Sequence, residues 1–219
     1  MKKLTILFIS FAVVSCIGEE EPVTTLSDTK IELNHDGKHQ FVLKYGTMPI
    51  DNTRIIWKSR DEKVGTIDVS GTFHARKLGK SVVSAYTKDA IYQADVEVVT
   101  YDRSIQDPVL DFYATKAAIK AKEKRILHKE SSETLQYSNG IKGLPCSLVY
   151  YFENGKMIKC IVTIPYSIFR NEVVTFLKER YPVMVKNGNT EVYYPDEQLF
   201  TASLTQTKDE DLTIIYSAK

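Results

Sequence analysis

The side chains that could do chemistry in this chain are few and scattered. Its 219 residues hold four histidines and three cysteines. His35 and His39 lie about a hairpin's width apart, yet no carboxylate or cysteine at ligand spacing accompanies them, and a solvated turn accounts for both. Leu78-Gly79-Lys80-Ser81 matches the end of a phosphate-binding G-x-x-x-x-G-K-S loop. His74 stands where the first glycine is needed and no helical pattern follows, so a nucleotide site fails on both counts. His128 has no G-x-S-x-G elbow to serve, and the acidic pairs Glu130/Glu133 and Asp209/Glu210 sit in polar, loop-like stretches where solvation explains them. With no catalytic, metal-binding or cofactor motif, the expectation is that the protein is not an enzyme and needs no cofactor.

Tyrosine is the side chain that recurs in the second half, where Tyr150-Tyr151 and Tyr193-Tyr194 form adjacent pairs. A flat aromatic with a polar tip suits sugar stacking and protein interfaces. In a strand, neighbours point to opposite faces, so one ring of each pair belongs to a core and one to an outer surface. Tyr150, Tyr151, Tyr193 and Tyr194 are therefore the candidate ligand surface, for a glycan or a protein.

Two cysteines lie beside the first pair. Asn154-Gly155 between two apolar runs is a strong hairpin signal, and a two-residue turn makes Glu153 face Lys156 and Phe152 face Met157. Counting back, Cys160 falls opposite Val149 and Cys146 opposite Thr163, which puts the sulfurs on opposite faces. No disulfide is expected in that register, and with no C-x-x-C or histidine partner both thiols are expected to be buried and inert.

The formal charge of +1 carries no basic excess, which excludes nucleic acid as the expected partner. The N-terminus is better defined. Lys2 and Lys3 precede an apolar run from Leu4 to Val14, too short for a bilayer span and suited to the h-region of a secretory signal. Val13-Val14-Ser15-Cys16 follows, and this resembles the bacterial lipobox, with Val13 in place of the favoured leucine. The resemblance implies that residues 1–15 are removed and that Cys16 becomes a triacylated N-terminus, an anchor far stronger than a single acyl chain. Ile17 after the cysteine and the acidic run Glu19-Glu20-Glu21 are similar to the signals that send Bacteroidetes lipoproteins to the outer membrane and its surface. Residues 16–24 also read as a solvated tether.

From 25 to 100 the chain reads as short strands with turn signals every eight to twelve residues and no helical period. Asp36-Gly37 is a hairpin turn, Trp57 suits the space between two sheets, and Asp68-Val69-Ser70-Gly71 is a tight corner. Asp68 can accept backbone N–H groups there, and Gly71 can take a positive φ. Trp57, Ser59, Val64, Thr66, Ile67, Asp68, Gly71, Phe73, Ala75, Gly79, Val83 and Ala85 stand where bacterial Ig-like domains of group 2 read W-S-S-x-x-x-x-V-A-T-V-D-x-x-G-x-V-x-A-x-x-x-G-x-A-x-I-T-A. Gly65 replaces the usual Ala, Phe73 the usual Val and Val82 the usual small residue. The resemblance covers about a third of the chain and implies an Ig-like sandwich of bacterial surface proteins, acting as a spacer or binding module, with no catalytic residue.

At 101–106 the pattern changes, and 104–219 reads as an α+β domain that resembles no known family. Asp107 as N-cap and Pro108 as first helical residue open an expected helix whose apolar face runs from Val109 to Leu127. Its lysines are a solvated face or a surface for lipid headgroups or an acidic partner. Strands follow, then a second helix with Ser167 as N-cap ending at Tyr181-Pro182, then three or four more strands. The order predicts an antiparallel sheet with two helices on one face.

The expected fold is thus multidomain, an all-β Ig-like sandwich followed by an α+β domain. Three functions remain open: a lipid-anchored, surface-exposed binding or adhesion-type protein, a structural subunit of an envelope complex, and, least favoured, a hydrolase.

Overall fold

The computed structural model describes residues 21–101, 103–141, 144–165, 169–206 and 211–219. The lipobox with Cys16, the Ser167 cap and the Asp209/Glu210 pair lie outside the described residues. The protein is β-rich and contains two separate hydrophobic clusters, one built from residues 31–98 and the other from residues 105–216.

The first cluster sits among short strands, β1 (Thr24–Leu26), β2 (Lys30–Asn34), β3 (Lys38–Gln40), β4 (Leu43–Tyr45), β5 (Met48–Pro49), β6 (Ile56–Ser59), β7 (Gly65–Ile67), β8 (Thr72–Ala75), β9 (Gly79–Tyr86) and β10 (Ile91–Val99). They form sheets β2-β10-β9-β6, β1-β4-β5 and β3-β8-β7 in a sandwich-like arrangement. Burial alternates along them, and Phe41, Leu43, Phe73, Val83 and Ala85 are fully enclosed.

Trp57 packs inside this unit and donates its indole N–H to Asn52 Oδ1 at 3.1 Å. At the corner, Asp68 Oδ1 accepts the N–H of Ser70 at 2.9 Å and of Thr72 at 3.1 Å, and Gly71 has φ 83°. These bonds hold the Asp68 carboxyl well below its ordinary range, the Ser70 hydroxyl contributing most. A Cβ on Gly71 would lie 2.9 Å from the Trp57 ring, so close approach and backbone conformation both require glycine. Gly79-Lys80-Ser81 opens β9, a strand, which leaves no phosphate-binding turn before a helix.

The second cluster lies under one eight-stranded antiparallel sheet. Its strands are β11 (Ile126–Glu130), β12 (Thr134–Ile141), β13 (Leu144–Glu153), β14 (Lys156–Ile164), β15 (Val183–Asn187), β16 (Thr190–Tyr194), β17 (Phe200–Gln206) and β18 (Leu212–Ala218). The spatial order is β11-β12-β13-β14-β18-β17-β16-β15, so two four-stranded meanders join at the β14–β18 pair. Helices α1 (Lys116–Lys122) and α2 (Arg170–Arg180) each precede a meander, and Ile119, Val173, Phe176 and Leu177 join the cluster on the sheet's inner face.

Three expectations are corrected here. The first helix does not begin at Asp107-Pro108; residues 104–114 form an irregular strap, and α1 starts after Thr115, whose hydroxyl accepts the Ala118 N–H. Val109, Leu110 and Phe112 do turn inward, but from a strap tied by tertiary bonds, among them Tyr113 N–H to Met157 O at 2.8 Å and Met157 N–H to Ala114 O at 2.9 Å. A 100° periodicity is shared by such a strap by coincidence, and those bonds outweigh it. Leu127, read as the last residue of the helix's apolar face, lies instead in the edge strand β11, Ile126–Glu130, which also takes in Glu130, read as loop.

The third correction concerns the cysteines. The turn is as expected, with Glu153 opposite Lys156 and Phe152 opposite Met157, but the next pair is Tyr151–Lys159, so Ile158 is a bulge. One extra residue inverts parity beyond it. Cys160 now faces Tyr150, and Cys146 and Cys160 share the inner face and are buried in one core. They stay four residues apart along the ladder, about 14 Å at ~3.4 Å per residue, too far for a disulfide.

Candidate ligand surface

The sheet's alternation divides the tyrosine pairs. Tyr150 and Tyr193 point inward and are fully buried, whereas Tyr151 and Tyr194 point outward and are half-buried. Tyr150 donates its hydroxyl to Glu123 Oε2 at 2.6 Å and accepts the Val109 N–H at 2.8 Å, and Tyr193 donates to Glu191 Oε2 at 2.7 Å. Burial raises both phenol pKa values, and the neighbouring carboxylates add to the effect. These two rings present nothing to a ligand, so the candidate surface loses Tyr150 and Tyr193 and keeps Tyr151 and Tyr194.

Glu123 belongs to a buried ion pair with Arg125, at 2.8 Å, and Arg125 also donates to the carbonyls of Gln106 and Asp107 at 2.9 and 3.0 Å. Both carboxylate oxygens and both terminal guanidinium nitrogens are met by hydrogen bonds, Arg125 Nε being left without one, and these bonds offset part of the cost of removing both charges from water. The cluster ties the strap to the sheet. Cys160 lies near it with its thiol pKa raised by burial, so thiolate chemistry is suppressed there.

Tyr151 and Tyr194 belong to a larger feature. The register aligns Gln136, Val149, Ile161, Ile215, Ser203, Val192 and Val185 in one row across seven strands of the outer face. A second row runs Thr134, Tyr151, Lys159, Ser217, Thr201, and Tyr194 follows the Tyr193–Ala202 pair and so stands beside Thr201. A third holds Ser138, Ser147, Thr163, Thr213 and Thr205. The middle of this face is aliphatic, one flank is hydroxyl-bearing, and the other carries the two tyrosines four strand spacings apart, about 19 Å.

Lys159 and, where the first row continues onto the edge strand β11, Lys129 opposite Gln136 are the charged side chains of these three rows, in a chain whose charged fraction is 26%. The Lys159 ammonium lies 4.6 Å from the Tyr151 ring centroid, and that of Lys219 lies 5.0 Å from the Tyr194 ring centroid. A sugar would have to displace a lysine to stack on either ring, whereas a protein surface can meet tyrosine and lysine together. Single-sequence reading overlooked Val149, Ile161, Ile215 and Val192. The available signal was that β14, KMIKCIVTI, is apolar at both parities, the mark of a strand with two faces to cover.

The unit of residues 24–99 meets the eight-stranded sheet unit through its far end. Glu179, at the end of α2 and 1% exposed, accepts Thr100 Oγ1 and the Tyr101 N–H, each at 2.7 Å, and its carbonyl accepts the Leu78 N–H at 2.8 Å. Lys77 pairs with Asp196 at 2.5 Å, and Lys63 with Glu197.

The histidines divide differently from expectation. His39 does have a carboxylate, Asp28, at 3.0 Å, and His74 lies 3.2 Å from Asp68. Among the described residues no three of His, Cys, Asp and Glu are grouped to hold a metal. No helix of the described residues is long and apolar enough to cross a membrane.

No known family profile matches the sequence, and no curated protein matches it. Among solved structures, the chain is similar to surface layer protein SbsC, domains 1-6, at 12% identity and a TM-score of 0.30, over 90% of this chain and 22% of that one. It is also similar to SbsC domains 5-6, at 13% identity and a TM-score of 0.30, over 90% of this chain and 85% of that one. The chain thus spans about a fifth of the first structure it matches, and these likenesses are too distant to carry a functional argument.

Proposed function

We propose that this chain is a lipid-anchored protein of the bacterial outer membrane, exposed at the cell surface, in which a group 2 Ig-like sandwich (25–100) carries a non-catalytic α+β binding domain (104–219). The observation that carries the reading is the outer face of the eight-stranded sheet, three rows whose charges are Lys159 and, on the edge strand, Lys129. A solvated sheet face normally carries polar and charged side chains, and a face depleted of charge with tyrosines at its margin has the composition of a recognition surface.

The architecture supports the spacer role. Strand β10 starts at Ile91, near the N-terminal strand's end of the sandwich, and ends at Val99 beside the α2 contact. At ~3.3 Å per residue, its nine residues separate the two ends by about 30 Å. The anchor itself rests on the lipobox at Cys16; Cys16→Ala should release the protein from the membrane fraction, and continued retention would sink the anchor.

A protein is the ligand class favoured by the lysine-capped rings. The mature chain and its Ile161→Asp/Ile215→Asp variant, probed on arrays of envelope proteins, host proteins and glycans, test this. Binding lost in the variant, with its melting transition retained, is the expected result. Binding that survives the double substitution removes the sheet face from the reading. Recovery of a single stoichiometric envelope partner from crosslinked membranes would instead identify a structural subunit.

A further inference from the structure

The opposite end of the sandwich presents a different surface. Val23, Tyr45, Met48, Ile56, Val69 and Ile91 are the exposed large apolar side chains of the first unit among the described residues, and five of them, all but Val69, gather at the end where the chain enters. They are 53 to 72% exposed. Their grouping follows from pairing. Gly46 N–H donates to Val23 O at 3.0 Å, Tyr45 pairs with Met48 across the β4–β5 turn, and Ile56, Tyr86 and Ile91 form one row at the β9–β10 turn. A cleft of about 580 Å³ lined by Tyr45, Arg54, Lys88 and Tyr92 lies between the two groups.

We infer that this rim rests on the lipid surface to which the chain is tethered, with Met48, Ile56 and Ile91 in the headgroup layer. The inference builds on the anchor at Cys16. Only six residues separate Cys16 from Val23, so at ~3.5 Å per residue Val23, the rim's first residue, lies within about 25 Å of the acylated N-terminus. Lys44, Arg54, Lys58 and Lys88 are interspersed with the apolar side chains, opposed by Glu21, Asp51 and Asp89, so the rim is close to neutral. Lys58 lies 5.6 Å from the Tyr86 ring centroid, an ammonium over an amphipathic aromatic of the kind that partitions to a bilayer interface. A near-neutral apolar rim adheres by burying surface, with little dependence on salt. Two attachments, acyl chains and rim, would set the sandwich upright and turn the α2 end away from the bilayer.

The test separates rim from anchor. The mature chain from residue 16 carrying Cys16→Ala has no lipid and is floated with vesicles of phosphatidylethanolamine and phosphatidylglycerol at millimolar lipid. It is expected to float, with recovery changed less than twofold between 0.05 and 0.5 M salt. Met48→Asp/Ile91→Asp should lower recovery at least tenfold with an unchanged melting transition, and Met48→Trp should raise it. Failure of the Cys16→Ala chain to float, or equal recovery of the Asp variant, overturns the rim. The anchor is read independently, by acyl-chain mass on the N-terminal peptide of the wild-type protein, so loss of one leaves the other standing.

Discussion

The ring of Phe73 occupies the space that a side chain at position 65 would need: a Cβ built on Gly65 lies 2.2 Å from Phe73 Cζ. The two stand on paired strands, with Gly65 opposite Ala75 and Ile67 opposite Phe73. A small residue at 65 and a large one at 73 thus describe one exchange of volume between neighbours. Gly65→Ala alone should destabilise by about 1–3 kcal/mol through overpacking. Phe73→Val alone should destabilise through a cavity. The double variant should recover part of the loss, with a coupling of about 1 kcal/mol or more in a double-mutant cycle followed by denaturant unfolding. Additive effects would show that the two positions do not share the space.

Glu179 fixes the relation between the two units. Its carboxylate is buried against Thr100, the Tyr101 N–H and Arg180, the last at 3.2 Å. Glu179→Ala leaves a buried N–H and weakens the environment of a buried guanidinium, an expected cost of about 2–4 kcal/mol. Limited proteolysis near residue 100 and small-angle scattering should report a loosened junction. Unchanged cleavage and an unchanged scattering profile would mean that the linker alone holds the units in place.

Alkaline pH should unfold the second unit. Burial raises the phenol pKa values of Tyr150, Tyr181, Tyr193 and Tyr216 above the unfolded value of about 10. The unfolded chain therefore loses these protons first. Their contribution is fully present below pH ~10 and falls as pH rises above it. Tyrosinate absorbance for these rings should appear together with loss of tertiary circular dichroism. Ionisation of the full tyrosine complement in a still-folded chain would contradict the assigned burial.

Cys146 and Cys160 should resist modification. Both are buried on the inner face and cannot reach each other. A thiol reagent should find neither in the native protein and both after denaturation, and mild oxidation should leave the two free. A disulfide recovered under native oxidising conditions would require the β13–β14 register to slip.

The tyrosine pairs show where local information ends. That one ring of each pair would be buried followed from the period of two, and the strands carrying them were legible from apolar runs and from Asn154-Gly155. Which ring was buried depended on the β14 partner and the helices that chose the inner face. The cysteine parity turned on Ile158, a bulge that no residue type announces, because a bulge is selected by twist and by the neighbouring strand. The strap at 104–114 was misread for the same reason. Its apolar spacing fits a helix, and what keeps it out of one are bonds to Tyr150 and Met157, some 40 residues away in the chain.

By itself, the sequence determined the strands flanking Asn154-Gly155, the Asp68–Gly71 corner and the exclusion of a nucleotide loop. Each depends on residues within a few positions of one another, where sterics and backbone hydrogen bonding act. The tertiary structure alone decided that Val149, Ile161, Ile215 and Val192 lie in one row with Tyr151 and Tyr194 beside it, and that Val23, Met48, Ile56 and Ile91 share one rim. Those sets are brought together by pairing between strands far apart in the chain, and each becomes a surface only when register and face are set by the whole sheet.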